Sequence, residues 1–296
     1  MKLLKFGLIF LAGLSCSCTI NHEKGSAKNP ITVSLIPAKD TRSLLVSAEE
    51  FSRWMEKETG WSFEVTVPHA YIAVVEALGS NRADIAFLNT TAYIMAHQKY
   101  QAEAQFISLG KDGSTTYRGQ FISRKDSPVK KLADIDGKKM AYVDPTSASG
   151  YLLPAYQLKQ LGISPKEKVF AGKHDSVVIM VYQKQVDVGA TYHAPEENGV
   201  LQDARRLVKT QFPDVFDKIQ ILDFTIPFPN DAIVFRKGLD PVMKEKLAAA
   251  MLKWTKTPEG IVTLKPLNNS TGIQPVKDSD YDEARKLLEV MKSQLN

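Results

Sequence analysis

The chain concentrates its hydroxyl chemistry in Asp144-Pro-Thr-Ser-Ala-Ser-Gly150, where Thr146, Ser147 and Ser149 lie almost side by side. Ahead of this segment, Lys138-Lys-Met-Ala-Tyr-Val143 reads as a short buried strand. Behind it, Leu152, Leu153, Tyr156, Leu158 and Leu161 form a helical apolar face that stops at Gly162. Pro154 fits the first helical turn, where a missing N–H donor matters little. The hydroxyls therefore fall between a strand end and a helix start. There the first backbone N–H groups lack partners and the helix dipole favours an anion. Such a segment is either an ordinary serine N-cap or a cradle for an oxyanion, and the hydroxyl triplet beside Gly150 leans toward the cradle.

Other chemistries find little support. No G-x-S-x-G elbow accompanies a Ser-His-Asp set, no H-E-x-x-H occurs, and no dense cluster of His, Cys and Asp suggests a metal. His174 and Asp175 are adjacent, so their side chains diverge and make a poor ligand pair. His69, His97 and His193 read as surface or loop histidines. The expectation is a protein without cofactor or metal that is not an enzyme, with an exported hydrolase kept as an alternative.

The elements that would position the hydroxyls alternate between strand and helix. Ile31–Ile36 reads as a strand, Leu44–Lys57 as an amphipathic helix closed by Gly60, and Phe63–Val67 as a second strand. A helix around Ile72–Leu78 precedes Asn81-Arg-Ala-Asp-Ile-Ala-Phe-Leu-Asn89, a turn leading into a buried strand. The order then recurs: strand 138–143, helix 150–161, strand 168–171, helix 175–183 and a strand in Gln185–Thr191. Ala83-Asp-Ile-Ala-Phe and Val186-Asp-Val-Gly-Ala hold equivalent slots in the two halves. This pseudo-repeat predicts an α/β protein of two lobes with mostly parallel sheets, whose strand C-terminal ends face a common cleft.

Two extended segments, Arg118–Arg124 and Phe224–Phe235, read as crossings between the lobes, and helices over 240–265 and 278–294 are expected to pack on the first lobe. The expected division is 30–118 with 230–296 as a discontinuous lobe 1, and 119–229 as lobe 2. A ligand would sit between lobes that close around it.

The N-terminus speaks to location. Lys2 and Lys5 flank the apolar run Phe6–Leu14, which is too short to span a bilayer and is followed by Ser15-Cys-Ser-Cys18. Residues 1–18 read as a lipoprotein signal and 19–29 as a flexible tether. Cys18 is the expected acylated residue and Cys16 the alternative, since the lipobox match is imperfect around both. They are the only two cysteines, so the folded body carries no disulfide and must rest on its core. About 265 residues remain to build that core. The formal charge of +5 falls to +3 without Lys2 and Lys5, too mild and too evenly mixed to argue for nucleic acid. A periplasmic or extracytoplasmic, membrane-anchored lipoprotein is the expectation.

With these residues in place, the chain resembles the phosphate/phosphite/phosphonate-type substrate-binding proteins of ABC importers, which have the type II periplasmic-binding fold. The resemblance covers nearly all of the chain after the signal. Its most specific piece is Asp144-Pro-Thr-Ser-Ala-Ser-Gly-Tyr-Leu-Leu-Pro154, against the family's D-P-x-S-x-S-G-x-x-x-P. Tyr71 ahead of Glu76-Ala-Leu, Asp84-Ile-Ala-Phe-Leu, Gly172-Lys-His-Asp-Ser176, Val186-Asp-Val and Pro229-Asn-Asp-Ala-Ile-Val match as well. The chain departs where members often have a hydroxyl residue (here Ala148) and a Gly-Pro pair (here Asn89-Thr90).

The resemblance implies site roles for Tyr71, Ser147, Ser149, His174 and Asp231, and for Asp175. Ala148 and Gly150 complete the serine loop, and Asn89, Thr90 and Thr91 could add donors from the opposite wall. Neutral donors of this kind suit a tetrahedral oxyanion, while Asp231 suits a ligand that keeps a proton or bears an amine. The implied partners are a small phosphorus oxyanion and an ABC permease in the membrane, with the protein a monomer. A ligand sensor for a membrane receptor on the same fold is the other reading.

Overall fold

The computed structural model describes residues 23–197, 199–268 and 270–295. The expected lipoprotein signal, with Cys16 and Cys18, lies outside the described residues. The chain runs through β1 (Ile31–Leu35), α1 (Thr41–Thr59), β2 (Phe63–Thr66), α2 (Tyr71–Gly79), β3 (Ile85–Leu88), α3 (Thr90–Tyr100) and β4 (Glu103–Leu109). It crosses on β5 (Thr116–Arg124) and builds β6 (Lys139–Tyr142), α4 (Leu153–Gln160), β7 (Glu167–Phe170), α5 (His174–Tyr182), β8 (Val188–His193), α6 (Val215–Lys218) and β9 (Ile219–Phe224). It returns through β10 (Phe228–Pro229) to β11 (Ala232–Phe235), α7 (Pro241–Trp254), α8 (Pro258–Asn268), β12 (Gly272–Pro275) and α9 (Asp282–Leu295).

Two sheets result, one with strand order β12-β4-β11-β3-β1-β2 and one with β10-β5-β8-β6-β7, to which β9 adds beside β5. The sheets are mixed rather than mostly parallel. Parallel pairing is confined to β1 with β2 and β3, and to β6 with β7 and β8, where helices make the crossovers. The strands that cross between lobes or return, β4, β5 and β9 to β12, pair antiparallel.

The pseudo-repeat is built into the hydrogen bonds. The Asp84 carboxylate accepts from Thr32 N–H at 2.9 Å while Asp84 N–H donates to Thr32 C=O at 2.8 Å. Asp187 repeats the exchange with Lys139, at 2.9 Å each way. Each aspartate thus pins the start of the central strand of its sheet. Asp84 is fully buried and also holds Arg236 (2.8 Å) and Lys24 (2.5 Å). Lys24 corrects part of the tether: residues 23–29 fold back on lobe 1, with Ser62 N–H donating to Gly25 C=O at 2.8 Å. An ion pair to a buried carboxylate ties this stretch down.

α1 carries the amphipathic face that its sequence shows. Its Asp40 cap accepts from Ser43 N–H, Gly60 ends it in the left-handed region, and Leu44, Ala48, Phe51 and Met55 are buried. Phe51 meets Trp254 of α7 edge-on at 4.9 Å and Phe87 of β3 at 5.8 Å. Burial of each such side chain contributes roughly 1.5–3 kcal/mol. A second core continues behind the cleft from Val74 and Tyr93 of lobe 1 to Leu152, Val177 and Val178 of lobe 2. α9 joins it through Ala284, Leu288 and Met291, packing against α4 as well as α3. The last helix therefore bridges both lobes instead of lying on the first alone.

The crossings lie side by side: Tyr117 pairs with Phe228 and Thr116 with Pro229 in antiparallel register. Thr225 locks them further, its hydroxyl accepting from Gly119 N–H at 2.7 Å.

Candidate functional site

Between the sheets lies a cavity enclosing about 970 Å3 of empty space, solvent at its mouth included. Four helix starts converge on it. Tyr71 is the first residue of α2 and His174 the first of α5, and neither helix has a side-chain cap. Asn89 caps α3 by accepting from Ala92 N–H at 2.8 Å, and Ser147 caps the π-type turn Ala148–Leu152 that opens α4. Tyr71, Asn89, Ser147, Ser149, His174 and Asp231 all line the cavity. Helix dipoles from both lobes thus turn their positive ends toward the cavity.

Of the two readings of the serine loop, the cap is present in the structure. Ser147 Oγ accepts from Gly150 N–H at 3.1 Å, so the N-cap exists. That bond uses an acceptor lone pair and leaves the hydroxyl proton of Ser147 for another partner. Thr146 is otherwise engaged, its N–H and hydroxyl both donating to Asp144 at 2.8 and 2.6 Å. Position 150 must be glycine because a Cβ there would lie 2.4 Å from Val143 Cγ2. The Ser149 hydroxyl and N–H sit against the phenol oxygen of Tyr117, whose pKa burial raises.

Tyr71 is buried, and its hydroxyl has no hydrogen-bond partner among the described residues. Burial raises its pKa well above the ordinary value, with Asp144 and Asp231 acting the same way. It is a neutral donor without an acceptor, at a cost of roughly 1–3 kcal/mol in the absence of one. His174 is buried edge-on to Tyr192, ring centres 5.0 Å apart, and its Nδ1 accepts from Tyr192 N–H at 3.3 Å. Burial, aided by Lys39, lowers its pKa to about 3. The ring is neutral, so the proton resides on Nε2, a second donor. Burial pushes the Asp231 carboxyl up to about 7 against the pull of Lys39.

Five expected residues stand outside the cavity wall. Thr90 is buried with its hydroxyl 2.8 Å from both Pro229 and Asn230 C=O, so it ties lobe 1 to the returning crossing. Thr91 is buried in α3 without a hydroxyl partner among the described residues. Ala148 and Gly150 shape the serine loop from behind. Asp175 accepts from Ser176 N–H at 2.8 Å.

The lining residues that were not expected include Lys39, Tyr117, Tyr192 and His193. His193 is no surface histidine, since its Nδ1 is 3.1 Å from Gln120 Oε1 in the wall. Lys39 lies in the loop after β1, the slot that the serine loop fills after β6, so the pseudo-repeat could have found it.

The lobes touch across the cavity. His174 N–H donates to Ala38 C=O at 3.2 Å, Lys173 Nζ to Thr41 Oγ1 at 3.3 Å, and Lys265 of α8 pairs with Glu197 of lobe 2.

Comparison with known proteins bears on this geometry. A family model described as "ABC transporter, phosphonate, periplasmic substrate-binding protein" matches residues 33–281. The chain is 26% identical to the phosphate-import protein PhnD of Mycolicibacterium smegmatis, over 97% of this chain and 94% of that one. The solved binding protein of a Pseudomonas aeruginosa ABC phosphonate transporter superposes with a TM-score of 0.78 at 21% identity, covering 90% of this chain and 87% of that one. PhnD1 of Prochlorococcus marinus, solved with methylphosphonate, gives 0.76 at 16%, covering 88% and 98%. At such identities the solved structures establish the fold, that of type II periplasmic binding proteins.

Proposed function

The chain belongs to the family of periplasmic phosphonate substrate-binding proteins of ABC transporters, and from that premise we propose that it captures a small phosphorus oxyanion, a phosphonate, phosphite or phosphate, in the cleft and delivers it to a membrane permease. The observation that carries the reading is the buried Tyr71 hydroxyl without a partner, set among helix starts from both lobes. An anion there accepts from the Tyr71 phenol, Asn89 Nδ2, the Ser147 and Ser149 hydroxyls, His174 Nε2 and the first N–H groups of α2. Asp231, protonated at the ligand, donates as well. Thr90, Thr91, Ala148, Gly150 and Asp175 support this set from behind.

In this reading residues 30–118 and 230–296 move as one lobe and 119–229 as the other, about the paired crossings. The protein works as a monomer on the outer face of the membrane, held by lipid on Cys18 or, as the alternative, Cys16. It binds and releases its ligand unchanged. His174 supports this, since its Nδ1 is held by a backbone N–H, and no serine is hydrogen-bonded to its ring among the described residues.

Calorimetric titration with methylphosphonate, phosphite, phosphate and sulfate tests the reading. One phosphorus oxyanion is expected to bind at a single site, be recovered intact and outbind sulfate. If none of the three binds, the proposal fails.

A further inference from the structure

Among the described residues, Lys39 is the single lysine or arginine in the cavity wall. It is 9% exposed, and its Nζ donates to Pro266 C=O at 3.1 Å, one of the terminal carbonyls that α8 leaves unpaired. An ammonium has three donors, and among the described residues this is the one hydrogen bond that Nζ makes. The charged and titratable groups around it are Asp231 between β10 and β11, His174 of α5, Arg206 of the short helix Ala204–Val208, and Asp40 next in the chain. Lys39 and Asp231 feel each other's charge yet form no direct ion pair among the described residues.

We propose that Lys39 is a specificity-determining residue, which offers the ligand the one formal positive charge in the cavity wall and so selects the doubly charged form of a phosphorus oxyanion. The inference rests on the function proposed above. Hydroxyls and helix starts supply donors of fixed geometry, but they meet one negative charge nearly as well as two. Asp231, where ionised, opposes the second charge, and Lys39 offsets that opposition. Burial brings the Lys39 pKa down to about 7, with Arg206 pushing the same way and Asp231 opposing. A dianion beside the amine reverses the shift, so Lys39 takes up a proton as the ligand enters.

Calorimetry with methylphosphonate at about pH 9, where the ligand is already a dianion, reads this proton when repeated in buffers of different ionisation enthalpy. Asp231→Asn protein provides the clean background, since Lys39 is then the titrating group. There, binding is expected to draw a proton from the buffer, and adding Lys39→Met is expected to abolish that uptake. In the native background Lys39→Met should weaken binding roughly 10- to 100-fold. In the Asp231→Asn background Lys39→Arg should keep most of the affinity but without proton uptake, because the guanidinium never loses its charge. If Lys39 merely caps α8, Lys39→Met will melt earlier with affinity and proton count unchanged, which overturns the inference. Ser149→Ala separates the two levels. Weak binding in Ser149→Ala beside native binding in Lys39→Met leaves the cleft reading standing and removes Lys39 alone, whereas a native protein that binds no phosphorus oxyanion removes both.

Discussion

Tyr71 and Asp231 bring opposite liabilities to the cavity, and each can be measured. The Tyr71 hydroxyl is buried without a partner, so Tyr71→Phe removes an unsatisfied donor. Apo stability should hold or rise by up to about 1 kcal/mol, while oxyanion affinity falls by roughly 1–3 kcal/mol. Thermal unfolding and titration on one preparation check the pair, and a parallel fall in both would make Tyr71 a structural residue. Asp231 is raised to about 7 from an ordinary carboxylate value. A raised acid binds its proton more tightly folded than unfolded, so its contribution to stability is present at low pH and fades as pH rises to about 7. Above that pH a buried carboxylate remains. Asp231→Asn should therefore stabilise the apo protein by about 1–3 kcal/mol at alkaline pH and little at acid pH. Melting curves that gain equally at both ends would place the carboxylate outside the cavity's field.

Among elements, the turn into α4 is the most constrained. A Cβ at Gly150 would sit 2.4 Å from Val143 Cγ2, 2.6 Å from Val143 Cβ and 2.8 Å from Ser147 Oγ. Gly150→Ala should push the turn off β6 at a cost of about 1–3 kcal/mol in stability, with a larger loss of binding because Ser147 and Ser149 move together. Denaturant unfolding beside titration measures both, and native binding would show that the turn yields without disturbing the donors. This turn was legible in the sequence because strand, hydroxyls, glycine and helix follow one another within it. The repeat of Asp84 and Asp187 was legible for the same local reason. α3 was not, since its first residues, Thr90 through Ile94, are buried all round and show no amphipathic period. The mixed pairing was hidden too: which strands lie beside β3 and β8 depends on β11 and β5, remote in sequence from their partners. Lys39 escaped because an isolated lysine reads as surface, while the carbonyl it reaches, Pro266 of α8, lies far along the chain.

At the scale of the molecule, capture requires that the lobes part and meet again. Among the described residues the polar contacts that join them across the cavity include His174 N–H to Ala38 C=O, Lys173 to Thr41, and the Lys265–Glu197 pair. Behind it the crossings and α9 are packed in a continuous core. The front is thus weak and the back strong, which is the mechanical form of a hinge. The Lys265–Glu197 pair keeps 27% and 20% of its side chains exposed, so solvent screens it and roughly 0.5–1 kcal/mol is at stake. In the proposed reading, ligand supplies the larger share of closure by accepting from donors on both walls. X-ray scattering should therefore show a smaller radius of gyration with saturating methylphosphonate than without. Glu197→Gln should open the ligand-free protein further and weaken binding about two- to fivefold, an effect that fades in high salt. A radius that ignores ligand would mean that the lobes do not move on binding, and the anion would then have to enter through the cavity mouth of a fixed cleft.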